Sequence, residues 1–371
     1  MGYALINGLD QGILWAILAL GVFISFRMLD FADLTCEGSF AMGGAISAVL
    51  ISSGTDPILS CIVALIGGCG AGLITGILNT KFRIPPILSG ILTLTALYSI
   101  NYLIMNKRAS IGLVNNSLFY SWIKLESAYS ALITGLMVVV AVIGVMYWFF
   151  GTELGSAVRA TGANEKMSRA QGINTDNTKL IGLMLSNGLI ALSGALVAQH
   201  QGNATLVMGS GAIVIGLASV IIGETIIPSK NSFLLTLTSV LIGSIIYRII
   251  ITLVFQAGLS TEYIKLITAV LVVLALCLPL MKSKLPALAK RIDAIRAWLD
   301  AKLGKYPVYA KHIVRREARR AKRAERKAMR EAAKKAKQAV EADMAPDSEV
   351  TAGDGDAKCE VEGEEDNAGI N

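Results

Sequence analysis

The residues in this sequence that could do chemistry are a few polar side chains set among long apolar runs. Asp30, Asp33, Thr35 and Glu37 lie close together between the first two of these runs. Polar groups at membrane depth are costly and usually face a cavity or another polar group. This segment therefore either lines a transport path in an unwound stretch of backbone or lies in interfacial water.

Three more polar residues, Asn101, Asn187 and Arg248, lie inside apolar runs. A lone Asn in such a place hydrogen-bonds to a neighbouring helix more often than it binds a ligand. Arg248 has no carboxylate three or four residues away on its own helix. It binds an anionic group of a substrate, pairs with a carboxylate of another span, or extends outward to the membrane surface.

Residues suited to catalysis or metal binding are scarce. The two histidines, His200 and His312, lie far apart, and the five cysteines show no CxxC spacing and no cluster with histidine. No GxxxxGK[ST] sequence is present, so the chain has no Walker A loop for nucleotide phosphates. We expect no catalytic residue, no metal site and no cofactor, and a protein that is not an enzyme.

The elements that must position these polar residues are membrane-spanning helices. Hydrophobic residues make up 54% of the 371 and charged residues 16%, and the mean hydropathy is +0.59, far above that of a soluble domain. Because a spanning helix needs about 20 mostly apolar residues, we predict an all-α polytopic bundle of about nine spans. They are Asn7–Phe26, Gly38–Ser53, Pro57–Asn79, Pro85–Met105, Ala128–Phe150, Lys179–Gln199, Gly211–Ile226, Ser232–Phe255 and Glu262–Met281.

Two of these spans are short, Gly38–Ser53 and Gly211–Ile226, and both follow polar, non-periodic stretches. We expect short or re-entrant elements here, related as corresponding parts of an inverted repeat. The third span carries Gly68, Gly72 and Gly76. Their spacing leaves one stripe of the helix without side chains, which predicts close packing against a neighbouring helix.

The distribution of charge predicts four segments and their orientation. Residues 1–284 form the transmembrane domain, which holds 15 of the 34 Lys and Arg residues. Residues 285–304 form an amphipathic interfacial helix, 305–342 a basic helical segment, and 343–371 an acidic disordered tail. The basic tail places the C-terminus in the cytoplasm and is expected to attract anionic lipid. Nucleic-acid binding is not expected, because aromatic residues do not interleave the basic ones.

The polar segment Gly151–Lys179 lies between two spans on the predicted cytoplasmic side. Thr152 is placed to cap a short helix, and Gly162 and Gly172 are placed to end helical turns. A compact helix–turn–helix of this kind suits a rigid docking surface for a partner protein. A solvated connector is the alternative.

Several runs of residues resemble the permease family of branched-chain amino acid and sugar ABC importers. They are LGSAVRATGAN at 154–164, GIN at 172–174, LSGALVAQ at 192–199 and MGSGAIVIGLASVIIGE at 208–224. Together with LDFADLTCEGSFAMGGA at 29–45 and GILTLTALYSINYLIM at 90–105, they are similar in particular to the branch associated with tryptophan, tyrosine or related solutes. The resemblance covers most of Gly8 to Leu280.

The resemblance implies that the RATGAN region, Arg159–Asn164 within this segment, is a coupling helix seated in a cleft of a separate ATPase, which binds the ATP. It also implies a homodimer of permeases beneath an extracytoplasmic substrate-binding protein. The ATPase-coupling residues are then Glu153, Ala157, Arg159, Ala160, Gly162, Asn164, Gly172 and Asn174. Where the branch usually has proline and valine, with an aspartate, this chain has Ala32, Cys36 and Glu37, which leaves open the kink near Ala32 and any contact of Glu37 with substrate.

The function predicted on these grounds is that of a multi-pass permease subunit of an ABC importer in the cytoplasmic membrane, which translocates a small solute such as an aromatic or branched-chain amino acid. One alternative is an ion-coupled secondary transporter with Asp30, Asp33 or Arg248 at its coupling site. Another is a membrane-embedded enzyme that acts on lipid. In such importers the binding protein selects the solute.

Overall fold

A computed structural model of the chain describes residues 2–113, 127–227 and 233–256, together with isolated positions between 266 and 273. The elements are α1 (Gly2–Val22), a π-helical turn (Phe23–Met28), α2 (Thr35–Ser52), α3 (Pro57–Thr80), α4 (Pro86–Ile104), β1 (Ser110–Gly112), α5 (Ser127–Gly151), α6 (Glu153–Ala163), α7 (Glu165–Ala170), α8 (Thr175–Gln201), β2 (Asn203–Thr205), α9 (Ala212–Ile226) and α10 (Phe233–Gln256).

The predicted all-α polytopic fold is confirmed. Seven stretches of the described chain are long and apolar enough to cross a membrane: Ile6–Met28, Thr35–Ser52, Pro57–Thr80, Pro86–Ile104, Ala131–Gly151, Thr175–Gln201 and Phe233–Val254. The predicted short span Gly211–Ile226 is present as the 15-residue helix α9. The predicted span Glu262–Met281 and the segments after residue 284 lie outside the described residues, apart from the isolated positions.

The helical bundle has two distinct ends. We call α6 and α7 together, residues 153–170, the foot. A Cβ at Gly162 of the foot would collide with the Met28 carbonyl oxygen, and the Arg159 guanidinium lies 5.1 Å from the centre of the Phe233 ring. At the opposite end, which we call the sheet end, β1 pairs antiparallel with β2, and Ile111 lies opposite Ala204.

Two irregular connectors enter the bundle and interrupt the helices. The first, residues 29–34, joins the π-helical turn to α2. The second, residues 206–211, leads from the sheet end to α9, and its Met208 side chain lies against Gly44, midway along α2. Helix α9 therefore begins inside the bundle, which accounts for its short length. An inverted repeat that would relate α2 to α9 stays a prediction.

The glycine stripe of α3 lies against α8. A Cβ at Gly72 would collide with the Leu183 carbonyl oxygen, and one at Gly68 would collide with the carbonyl oxygen of Asn187. At Gly76 a Cβ would lie 2.7 Å from Leu180 Cδ2, closer than real Cβ contacts come. Backbone approach of this kind drives helix association in lipid, where apolar side chains gain little by leaving the hydrocarbon.

We expect Gly72→Ala to destabilise the bundle, because the added methyl group forces α3 away from the backbone of α8. The expected loss is about 1–3 kcal/mol, the usual cost of overpacking a close contact. Gly70→Ala is the matched control, since a Cβ at Gly70 meets nothing within 4 Å. Thermal unfolding of the purified protein in detergent measures both, and equal midpoints for the two variants would contradict the packing account.

Candidate functional site

A carboxylate in the first connector is the centre of a buried polar network. Asp33 is fully buried, and its Oδ1 accepts a hydrogen bond of 2.9 Å from the backbone N–H of Thr35. Its Oδ2 accepts one of 2.6 Å from Nδ2 of Asn187, on α8. The Asn187 amide also donates to the Leu183 carbonyl oxygen at 3.1 Å and accepts from the Ser39 hydroxyl at 2.7 Å. The first connector, α2 and α8 are thereby tied at one point.

Two further contacts extend this arrangement. The Thr35 and Thr75 hydroxyls are hydrogen-bonded at 2.7 Å, which adds α3. Glu37 Oε1 accepts a hydrogen bond of 2.9 Å from the backbone N–H of Gly211, directly before α9. Gly211 has a φ of +82°, a left-handed conformation that glycine adopts without strain. We call Asp33, Thr35, Ser39, Thr75 and Asn187 the central network; Glu37 joins it to the second connector.

The other predicted polar residues lie elsewhere. Asn101 is buried and its Nδ2 donates to the Gly38 carbonyl oxygen at 3.2 Å, but its Oδ1 has no partner among the described residues. Asp30 is exposed, two residues after Met28, with a φ of +52°. Arg248 packs on Trp15 of α1 and takes no part in the central network. Of the seven predicted path residues, the structure thus brings together Asp33, Thr35, Glu37 and Asn187.

Sequence reasoning missed Ser39, Thr75 and Gln199. The Gln199 amide of α8 donates to the Ser47 hydroxyl at 2.9 Å and contacts Cys61 Sγ at 3.2 Å, so it ties α8 to α2 and α3 nearer the sheet end. A Ser or Thr in an apolar helix commonly donates to a carbonyl of its own preceding turn. Spacing along the chain therefore contained no signal that Ser39 and Thr75 reach other helices.

The central network fixes the first connector, which joins the π-helical turn to α2. Asp33, Thr35, Ser39, Thr75 and Asn187 are all fully buried, and their hydrogen bonds run to one another and to the backbone. A buried carboxylate with such partners fixes the path of the chain between α1 and α2. That the same residues line a path for solute stays a prediction.

Side-chain caps build the turns of the foot. The Thr152 hydroxyl accepts from the backbone N–H of Gly155 at 3.3 Å, as the N-cap of α6. Asn164 caps α7 through the N–H of Met167 at 3.0 Å, and Asn174 caps α8 in the same way. Gly172 lies between α7 and α8 with a φ of +83°. Asn164, Gly172 and Asn174 therefore build the turns of the foot and of its junction with α8, a role that needs no contact with a partner.

An ionic clasp joins α7 to the start of α8. Arg169 lies 3.0 Å from Glu165 and 2.9 Å from Asp176, and its Nε donates to the Thr175 hydroxyl at 2.6 Å. Lys179 lies 2.8 Å from the second oxygen of Glu165. The hydrogen bond from Lys179, with the positive charges of Lys179 and Arg169, lowers the pKa of the Glu165 carboxyl. The Glu165 carboxylate of the clasp is therefore ionised at neutral pH.

The foot is also seated against the bundle by uncharged contacts. Val158 is fully buried, and the Thr161 and Thr178 hydroxyls are hydrogen-bonded at 2.8 Å. The outward surface, in contrast, exposes apolar side chains: Leu154 is 56% exposed and Met167 61%. Glu153 and Arg159 are exposed too, while Ala157 and Ala160 are half-buried. The foot is thus a rigid, partly apolar surface at the end of the bundle.

Comparison with known proteins gives a consistent result. Residues 4–276 match the family model described as "Branched-chain amino acid transport system / permease component". The chain is 39% identical over 269 residues to the tyrosine transport system permease protein of Clostridioides difficile (strain R20291), an alignment that covers 72% of this chain and 89% of that protein. It is 23% identical over 272 residues to the ribose import permease protein RbsC of Escherichia coli (strain K12), covering 73% and 84%. No solved structure matches.

We expect Asn187→Leu to destabilise the protein much more than Asn101→Leu does. The first change removes a hydrogen bond to a buried carboxylate, at a cost of about 2–3 kcal/mol. The second removes a weaker bond to a neutral carbonyl and also removes an oxygen that has no partner, so its cost is below about 1 kcal/mol. Thermal unfolding in detergent compares the two variants, and equal losses would contradict the proposed importance of the central network.

Proposed function

The chain belongs to the permease family of branched-chain amino acid transport systems, and on that premise we propose that it carries an amino acid of the aromatic type across the cytoplasmic membrane. It is the permease component of an ABC-type transport system and a multi-pass membrane protein, not an enzyme. Membership of this family implies an ATPase and a substrate-binding protein as partners. The likeness to a tyrosine transport permease supports the aromatic solute.

The foot is the surface on which we expect the ATPase to dock, and its geometry is the observation that carries the mechanism. The exposed Leu154 and Met167 offer apolar contacts, and the exposed Glu153 and Arg159 offer charged ones. A rigid foot transmits force better than a flexible loop, and the Arg169 clasp fixes its angle to α8. Ala157, Ala160 and Gly162 act by allowing the foot to seat closely.

Helix α8 connects the foot to the first connector. The Thr161–Thr178 bond and the Lys179–Glu165 ion pair hold the foot to the first turn of α8, and Asn187 farther along α8 holds Asp33. Movement of the foot on ATP binding by the partner would therefore shift α8 against the connector between α1 and α2. Discrete rearrangement of packed helices is the usual basis of alternating access.

Two copies of the chain form the translocation unit as a homodimer. The foot and the C-terminus face the cytoplasm, as expected for the end of the bundle that carries Arg27, Lys81 and Arg83 as well as the basic residues of the foot. The basic tail contacts anionic lipid of the inner leaflet.

Uptake into proteoliposomes tests the function. We expect L-tyrosine to accumulate only when the chain is reconstituted with its ATPase and binding protein and ATP is supplied, and ribose not to accumulate. Uptake driven by an ion gradient with the chain alone would contradict the proposal and favour the secondary transporter. Accumulation of ribose in place of L-tyrosine would contradict the proposed solute.

We expect the double variant Leu154→Glu, Met167→Glu to weaken the association with the ATPase by about tenfold or more, because charges replace apolar contacts at the docking surface. The double variant Ser52→Glu, Ser53→Glu, at two exposed positions where α2 ends, is the matched control that adds the same two charges. Co-purification with the tagged ATPase measures both. Undiminished association of the double variant would contradict docking at the foot.

A further inference from the structure

Unpartnered polar atoms gather where α1 meets α10. In the described part of the chain four buried side-chain polar atoms have no hydrogen-bond partner, and three of them are Trp15 Nε1, Tyr247 Oη and Arg248 Nε. Buried polar groups are nearly always hydrogen-bonded, so each exception requires an explanation. Since the indole and guanidinium groups only donate hydrogen bonds, the missing partner of Trp15 and Arg248 is an acceptor.

The Arg248 guanidinium stacks on the Trp15 ring. The Arg248 guanidinium carbon lies 3.9 Å from the centre of the Trp15 ring, and Nη1 donates to Gln11 Oε1 at 3.2 Å. Trp15 also packs on Phe40 of α2, with 5.0 Å between ring centres. A Cβ at Gly12 would lie 2.9 Å from the Ile245 Cα, so α1 and α10 approach closely at this point. Packing between α1, α2 and α10 fixes the arrangement.

Arg248 has no carboxylate partner among the described residues. A cation inside an apolar bundle without a counter-ion is costly, and such residues in spans mark sites for ions or substrates. Guanidinium binds carboxylates well, because its planar set of donors matches their two oxygens. The chemistry therefore favours a carboxylate as the missing acceptor.

The position of Arg248 along the bundle also suits a solute. Arg248 follows Phe233, which contacts the foot, by fifteen residues of helix α10. At 1.5 Å per residue it lies about 22 Å from the foot end of α10. This places it toward the sheet end, where a solute released outside the cytoplasm would enter first.

We propose that Arg248 and Trp15 form a binding site for the carboxylate of the transported solute. Arg248 supplies the positive charge and N–H donors, Trp15 supplies its indole N–H, and Gln11 orients the guanidinium. The inference rests on the proposed function, which it deepens by assigning the chemical group of the solute that the permease itself recognises.

Fluorescence of Trp15 in the full chain, reconstituted in nanodiscs, tests the site. Trp122, Trp148 and Trp298 are changed to Phe so that Trp15 is the remaining tryptophan. The probes are L-phenylalanine and acetate, each compared with its neutral amide, phenylalaninamide or acetamide. We expect both carboxylates to change the fluorescence saturably and the amides to have no effect.

Substitutions in the same background locate the binding group. We expect Arg248→Gln to raise the dissociation constant of both carboxylates by about tenfold or more, and Arg248→Lys, which keeps the charge, to raise it less. Arg108→Gln is the control, because it makes the same change at an exposed arginine after α4, outside the proposed site. It should leave the constants unchanged.

The outcomes separate this inference from the proposed function. Acetate binding that is equal in Arg248→Gln and the parent, or equal binding of carboxylates and amides, would overturn the site. If ATP-dependent uptake of L-tyrosine is unaffected by Arg248→Gln, the proposed function stands and the site is overturned. If acetate binding depends on Arg248 but the wild-type transporter accumulates no amino acid, the carboxylate site stands and the proposed solute is wrong.

Discussion

A carboxylate buried in an apolar bundle must find its hydrogen bonds inside the protein, and the Asp33 carboxylate finds them at the Thr35 backbone N–H and the Asn187 amide. The chain leaves helical geometry between Met28 and Thr35, and from this connector Asp33 reaches α8. Removing one partner would leave a buried carboxyl oxygen without a hydrogen bond, which costs more than losing a hydrogen bond that water can replace. The position of the helix break, the start of α2 and the register of α8 all depend on this pair.

Helix α8 can serve that network because glycines on both sides let its backbone approach others. Gly72 of α3 lies against the Leu183 carbonyl, Gly43 of α2 against the Ala191 carbonyl, and Gly194 of α8 itself against the Phe40 carbonyl. In hydrocarbon, close van der Waals packing and internal hydrogen bonds replace the hydrophobic effect as the source of association. Helix α8 therefore lies between α2 and α3, with the foot at its start and the sheet at its end.

If the foot docks the ATPase and Arg248 binds the solute, as proposed, the two sites are separate but lie in one packed structure. The foot is clasped to the first turn of α8, and the central network lies partway along it. Arg248 and Trp15 lie on α10 and α1, and Trp15 packs on Phe40 of α2. Helices α1, α2 and α8 form a contiguous packed connection between these sites, of the kind that can carry coupling.

The sequence by itself determined the spans, because a run of about twenty apolar residues is a property of local composition. It also determined the caps of the foot at Thr152, the stripe at Gly68, Gly72 and Gly76, and the family, since all of these are read from neighbouring residues. Only the tertiary structure decided that Asp33 is buried and Asp30 exposed, that Ser39 and Thr75 join the network, and that α9 begins inside the bundle. The contact between Asp33 and Asn187, for example, joins residues that are 154 positions apart in the sequence. Which residues so far apart come into contact depends on how the helices pack, and no local pattern encodes that packing.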